Sequence, residues 1–296
     1  MTAPSILRAL PLATLLALAA CAPSGSGPDH ARPAATEGSA GSAQGRLSAP
    51  APPPVHGAFD YQIGGAYPVP EGVDTVIRDR LDEPADGVYS VCYVNGFQVQ
   101  PGELDTWREE HPGLLLRDGD GGLVVDPDWD EALIDASAPD KRARAAEVIG
   151  ESLKGCARDG FDAVELDNLD SWTRSRSLLS RADAVAFAEL LTERAHTAGL
   201  AAGQKNAAEL IAKAGGGPVA GFDFAVTEEC GRWDECGVYA GAYPDRVLDV
   251  EYRDRDMPAA CSYRDSGVSV VLRDIGVTTP ASAEYGYGTC GDSGAS

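Results

Sequence analysis

Short apolar runs alternate with amphipathic stretches of helical period, and most runs end in a polar or charged residue. Together these features predict an α/β fold, a (β/α)8 TIM barrel, for residues 56–296. The candidate strands are Phe59–Ile63, Val73–Ile77, Val88–Val94, Ala163–Leu166, Ala201–Gln204, Phe222–Val226, Val247–Val250 and Val268–Leu272. They are short, mostly β-branched or aromatic, and show little polar alternation, as strands buried on both faces do. Eight of them fit a closed barrel better than an open sheet.

The helical segments follow in turn. Lys141–Arg158 puts Ala145, Val148, Ile149 and Leu153 on one side, after a start at Pro139 and Asp140. Arg181–Ala198 does the same with Val185, Ala188, Leu191 and Ala195, and Asn206–Ala214 and a stretch near Tyr239 fill later gaps. Strand–helix–strand repetition implies parallel strands joined by right-handed crossovers. The region from Gln100 to Pro139, rich in Gly, Asp and Pro, is expected to be a long irregular loop on the rim.

The first 55 residues stand apart from this fold. Residues 1–20 carry Arg8 and then an apolar run too short to span a bilayer, ending in Leu18-Ala19-Ala20-Cys21. That sequence looks like a lipoprotein processing site. It predicts cleavage before Cys21, lipidation of its thiol, and anchoring of the exported chain to the outer face of the cell membrane by lipid alone; the alternative is an ordinary secretory signal cleaved near the same place, and the chain is expected to be a monomer. Residues 21–55, rich in Ala, Pro, Gly and Ser, read as a disordered tether.

Setting Cys21 aside leaves six of the seven cysteines, an even number in an exported chain, which reads as three disulfides. Cys230–Cys236 closes a short turn-capable loop; Cys261–Cys290 and Cys92–Cys156 follow by elimination. No histidine lies near these cysteines and no C-x-x-C occurs, so neither metal nor cofactor is expected. The net charge of −22 disfavours nucleic acid and, joined to the motifs below, favours a cationic substrate; taken alone it reads as plain solubility or adaptation to salt.

Chemistry is expected at the carboxyl ends of the strands. Two tips carry clusters of acids: Glu165-Leu166-Asp167-Asn168-Leu169-Asp170 after the fourth run and Thr227-Glu228-Glu229-Cys230 after the sixth. Acids on two strand tips are what cleavage of a glycosidic bond requires. The plainer alternative is that they cap the helices that follow. The remaining tips offer Asp79, Tyr93 with Asn95, Lys205 with Asn206, Glu251 with Tyr252, and Arg273, all expected to line a common cleft.

As an ordered set these segments resemble glycoside hydrolase family 114, the endo-α-1,4-polygalactosaminidases, from about Phe59 to Arg273. The carriers are Tyr61-Gln62-Ile63-Gly64, Cys92-Tyr93, Gly160 to Asp170, Ala195 to Leu200, Gln204-Lys205-Asn206-Ala207, Phe222 to Cys230, Glu235-Cys236 and Val250-Glu251-Tyr252. The resemblance implies an extracellular TIM-barrel enzyme that cuts α-1,4-linked galactosamine, cationic when deacetylated, with Asp167 and Glu228 as the catalytic pair. The chain departs from the family at Phe59-Asp60-Tyr61, at Leu166, and in the turn Asn95-Gly96-Phe97-Gln98, with Trp107-Arg108 displaced further along.

On this reading Glu228 is the acid, kept protonated by burial beside Glu229 or Glu251, and Asp167 is the nucleophile or base. Glu165, Asp170, Asp79 and Glu251 are expected to pair with sugar ammonium groups. Tyr93, Tyr252 and Trp172 would stack on or bond to the sugars, with Asn95, Asn168, Asn206 and Arg273 among the substrate-binding set. Lys205 is expected to pair with a neighbouring carboxylate, His196 to serve a helix end, and Trp129 and Trp233 to pack. The competing class is a non-catalytic carbohydrate-binding surface lipoprotein on the same barrel, in which Asp167 and Glu228 would point away from a common cleft.

Overall fold

In the computed structural model, which describes residues 50–291, eight parallel strands follow one another in chain order around a barrel. They are β1 (Phe59–Gln62), β2 (Thr75–Asp79), β3 (Tyr89–Asn95), β4 (Ala163–Asp167), β5 (Ala201–Lys205), β6 (Phe224–Glu228), β7 (Val247–Glu251) and β8 (Val268–Arg273). Each pairs in parallel with the next, for example Asn95 opposite Asp167 and Glu228 opposite Val250. The signal segment 1–20, Cys21 and the tether as far as residue 49 lie outside the described residues. Of the remainder, Pro53 is buried and the Tyr89 Oη donates to the Ala51 carbonyl at 2.6 Å.

The helices are α1 (Leu104–Glu110), α2 (Pro139–Asp159), α3 (Arg181–Ala198), α4 (Ala208–Lys213), α5 (Cys230–Trp233), α6 (Cys236–Ala242) and α7 (Met257–Cys261). Ser180 and Asp183 form a reciprocal capping box that starts α3, and Gly199 in the left-handed region ends it. The connections 63–74 and 80–88 carry no helix, so the first two crossovers are loops.

The barrel's seam differs from the expected closed ladder. β9 (Tyr287–Thr289) pairs antiparallel with β8, and among the described residues no ladder joins β8 to β1. Side chains bridge the seam instead. The Arg273 guanidinium lies 3.2 Å from Asp60 Oδ1 and donates to the carbonyls of Thr278 and Gly286, all from a fully buried position. Above it, Gly64 lets the two rims meet, because a Cβ there would stand 2.3 Å from the Val277 carbonyl oxygen.

Two cores follow from the period-two geometry of the strands. Inside the barrel, Phe59, Tyr61, Ile77, Val91, Ala163, Ala201, Phe224, Leu248 and Val271 pack together. Gly203 is required there, since a Cβ would meet the Phe224 ring at 2.6 Å. The larger core lies between the barrel and its helices and includes Ile149, Leu153, Phe187 and Leu191.

The segment after β3 is not the irregular loop expected from its composition. Bridges pair Gln98 with Leu133, Leu115 with Ile134, Arg117 with Leu123 and Val125 with Ala132. Trp107, Leu114, Leu116, Val124 and Leu133 are buried beneath them, so this insertion is a packed wall on one side of the barrel mouth. The cysteines are paired as Cys92–Cys156, Cys230–Cys236 and Cys261–Cys290. No described helix is long and apolar enough to cross a membrane.

Candidate active site

The successive strands β4, β5 and β6 end in Asp167, Lys205 and Glu228. Each is followed by a residue in the left-handed region, Asn168 (φ 63°), Asn206 (φ 50°) and Glu229 (φ 56°), which turns the chain off the strand. Asparagine tolerates that conformation better than most residues. Counting inward from Ala163, Ala201 and Phe224 with a period of two brings all three tips to the inside of the mouth.

Lys205 is the hub. Its ammonium lies 2.6 Å from Glu165 Oε1, 3.5 Å from Asp167 Oδ1 and 3.6 Å from Glu228 Oε2, and donates to the Tyr61 Oη at 2.8 Å. Burial alone would lower its pKa, but the Asp167, Glu165 and Glu228 charges outweigh it and hold the group well above free lysine. Because one ammonium touches both, the Asp167 and Glu228 oxygens stand no more than about 7 Å apart, the sum of the two distances.

The pair is further fixed by neutral donors. The Tyr93 Oη donates to Asp167 Oδ2 at 2.6 Å, and the Tyr252 Oη donates to Glu228 Oε1. Asn206 holds Glu228 twice, donating from Nδ2 to Oε2 at 2.9 Å and accepting the Glu228 backbone N–H at 2.8 Å. Burial first, and then the facing carboxylate, raises both tyrosines well above their ordinary range, so they remain donors. A cavity of about 370 Å³ opens over this cluster, lined by Tyr93, Asp167, Asn168, Asp170, Lys205, Asn206, Glu228 and Tyr252 together with Trp129, Glu131 and Arg174.

Several expected site residues do not face the cavity. Glu165 is buried within the barrel, held by Lys205 and by the Tyr61 hydroxyl at 3.0 Å. Burial pushes its carboxyl up to about 7. Glu251 has the opposite parity to Val250 and lies on the outer face of β7, buried, where it accepts the Gly231 N–H at 2.7 Å. Glu229 is committed to Arg232 and Arg253. Neither therefore supplies the like-charge neighbour expected for Glu228.

Asp79 accepts from the Leu81 N–H and from Gln100 outside the cavity lining, and Arg273 clamps the seam. Asn95 is buried behind the wall, and Asp170 is doubly bonded to Arg174. Trp172 is buried in the outer core rather than offered to sugar. Trp129 and Trp233 are exposed rather than packed, Trp233 under the Arg232 guanidinium. His196 meets Asp223 at 2.8 Å at the end of α3, a structural pairing.

Two features of the mouth escaped the sequence reading. Arg174, beyond the 3-10 turn Ser171–Thr173, ties Asp170, Asn168 and the buried Asp126 together. Glu131, from the packed wall, accepts from Asn95 Nδ2 at 2.7 Å and Asn168 Nδ2 at 3.4 Å. Burial pushes its carboxyl up to about 7 against the lowering pull of Asn95. As for metal sites, Cys230, Cys236 and Asp249 have donor atoms within 4.8 Å of one another, but both sulfurs are spent in a disulfide.

A TIM barrel with two facing carboxylates and a polar cleft at the carboxyl ends of its strands has the architecture of a glycoside hydrolase. The chain belongs to glycoside-hydrolase family GH114, whose sequence model matches residues 39–292. Among solved structures it is similar to Ega3 of Aspergillus fumigatus in complex with galactosamine. That match has 20% identity and a TM-score of 0.63, and covers 78% of this chain and 96% of the other. It is also similar to the glycoside hydrolase domain of PelA from Pseudomonas aeruginosa, at 16% identity and a TM-score of 0.51, covering 75% and 96%. No curated protein matches the sequence.

Proposed function

We propose that this glycoside hydrolase cleaves α-1,4-linked galactosamine chains outside the cell, with Asp167 and Glu228 as its catalytic pair. The observation that carries the reading is the shared contact of both carboxylates with Lys205 under one open cavity, within the reach of a single glycosidic bond. In this reading Glu228, which lines the cavity with its carboxylate held by Tyr252 and Asn206, takes the role of proton donor to the leaving oxygen. As the C1–O bond breaks, Asp167 either bonds to C1 or takes a proton from the attacking water.

The amino-sugar polymer is supported by three features. These are the net charge of −22, the carboxylates at the mouth, and the galactosamine bound in the similar Ega3 structure. Export is supported by Leu18-Ala19-Ala20-Cys21, a lipid attachment signal, and by the three disulfides, which need an oxidising compartment. Incubating the protein with partially deacetylated galactosamine and glucosamine polymers and sizing the products tests the reading. Shortening of the galactosamine polymer is expected; two polymers of unchanged length would refute it.

A further inference from the structure

The mouth of the barrel holds four carboxylates: Glu131, Asp167, Asp170 and Glu228. Asp167 and Glu228 share Lys205, and Asp170 is bonded to both terminal nitrogens of Arg174. Glu131 has no cation within ion-pair distance among the described residues. The Asn95 and Asn168 amides hold its Oε2, while its Oε1 has no hydrogen-bond partner there. Arg174, which could neutralise it, is committed to Asp170, Asp126 and Asn168. A carboxylate fixed by two neutral amides, with Arg174 acting on it from a distance and no cation in ion-pair contact, is a receptor for a ligand cation.

Its surroundings extend the point. Trp129 and Glu131 line both the cavity over the catalytic cluster and a second hollow of about 240 Å³ along Val99–Leu104. They therefore stand where a chain leaving the cleavage point passes. Trp129 is 65% exposed, a large apolar side chain offered to solvent on the rim of a polar cleft.

Resting on the amino-sugar reading above, we infer that Trp129 and Glu131 form a subsite for a sugar unit beside the cleavage point. Glu131 Oε1 accepts from the 2-ammonium group and the Trp129 ring stacks on the sugar face. The subsite selects a deacetylated unit, because an N-acetyl group has no charge to offer the carboxylate and leaves it buried and unpaired. The raised carboxyl described above fits a group waiting for a counter-charge, which a bound ammonium supplies.

Calorimetric binding of deacetylated and N-acetylated galactosamine oligomers to the full-length Asp167→Asn protein, which holds them without cutting, tests this. Adding Glu131→Gln should weaken the deacetylated oligomer about tenfold or more and the acetylated one less than about twofold. Glu131→Asp, which keeps the charge, should retain the preference. Trp129→Ala should weaken both oligomers about equally, since stacking does not sense the nitrogen substituent. Equal losses with Glu131→Gln, or no loss, would overturn the subsite, as would the absence of binding by either oligomer. The expected binding pattern in the Asp167→Asn background, together with a wild-type protein that shortens no polymer, would overturn the hydrolytic reading alone.

Discussion

The Lys205 ammonium stands 2.6 Å from the carboxylate of Glu165, two residues before Asp167 on the neighbouring strand, and both side chains are almost wholly buried. Asp167 and Glu228 then gather on the outward side of the same ammonium. One lysine thus joins the barrel interior to the cavity at its mouth.

Replacing Lys205 by Met removes the cation and leaves Glu165 buried without its partner. A loss of about 3–5 kcal/mol in unfolding free energy is expected, with loss of hydrolysis. The double variant Lys205→Met/Glu165→Gln should regain part of that stability but no activity. Urea denaturation of the three proteins checks this.

Glu165 also sets a pH signature. Its carboxyl titrates near 4.5 in the unfolded chain and at about 7 in the fold, chiefly through burial. Between those values the folded state holds more protons than the unfolded one, so this group's contribution to stability falls as pH rises through the window. The stability of wild type relative to Glu165→Gln should decline from pH 4.5 to 7 and level off above. Denaturation curves across that range measure it, and a rising difference would contradict the assignment.

Tyr93 and Tyr252 give Asp167 and Glu228, the proposed catalytic pair, one neutral donor each. Tyr93→Phe and Tyr252→Phe should each lower kcat/KM by roughly ten- to a hundredfold, the value of a hydrogen bond to a charged group. Melting temperatures should change little. Steady-state kinetics on the galactosamine polymer decide it.

The Arg273–Asp60 pair should behave in the opposite way. Arg273→Leu leaves Asp60 buried and opens the β1–β8 seam, so about 3–5 kcal/mol of stability should be lost. The KM of the protein that remains folded should be unchanged, because Arg273 does not line the cleft. Thermal denaturation and kinetics on the same preparation separate the two effects.

The eight strands were legible because a strand buried on both faces is a continuous apolar run, and α3 because its apolar residues recur at helical spacing on one side. The same burial hid the parity of the strand tips. In Val247-Leu248-Asp249-Val250-Glu251 both faces are apolar or buried, so nothing in the pattern says that Glu251 points away from the mouth while Tyr252 points into it. Asp79 and Arg273 were misplaced for the related reason that a charged residue at a strand end reads the same whether it meets solvent, a loop or a seam. The wall after β3 was missed because its pairings are single bridges between short, Gly- and Asp-rich turns, with no sustained period. Glu131 was hidden with it. Its signal, an acid two residues after an exposed tryptophan, gains meaning only once Asn95 and Asn168 are brought beside it.

The most direct test of the catalytic assignment is the size distribution of products from a galactosamine polymer treated with wild type, Asp167→Asn and Glu228→Gln. The wild type should shorten the polymer, and each variant should be at least about a hundredfold slower while unfolding at nearly the wild-type temperature. A variant at either position that cuts as fast as wild type would show that the facing carboxylates are not the catalytic pair.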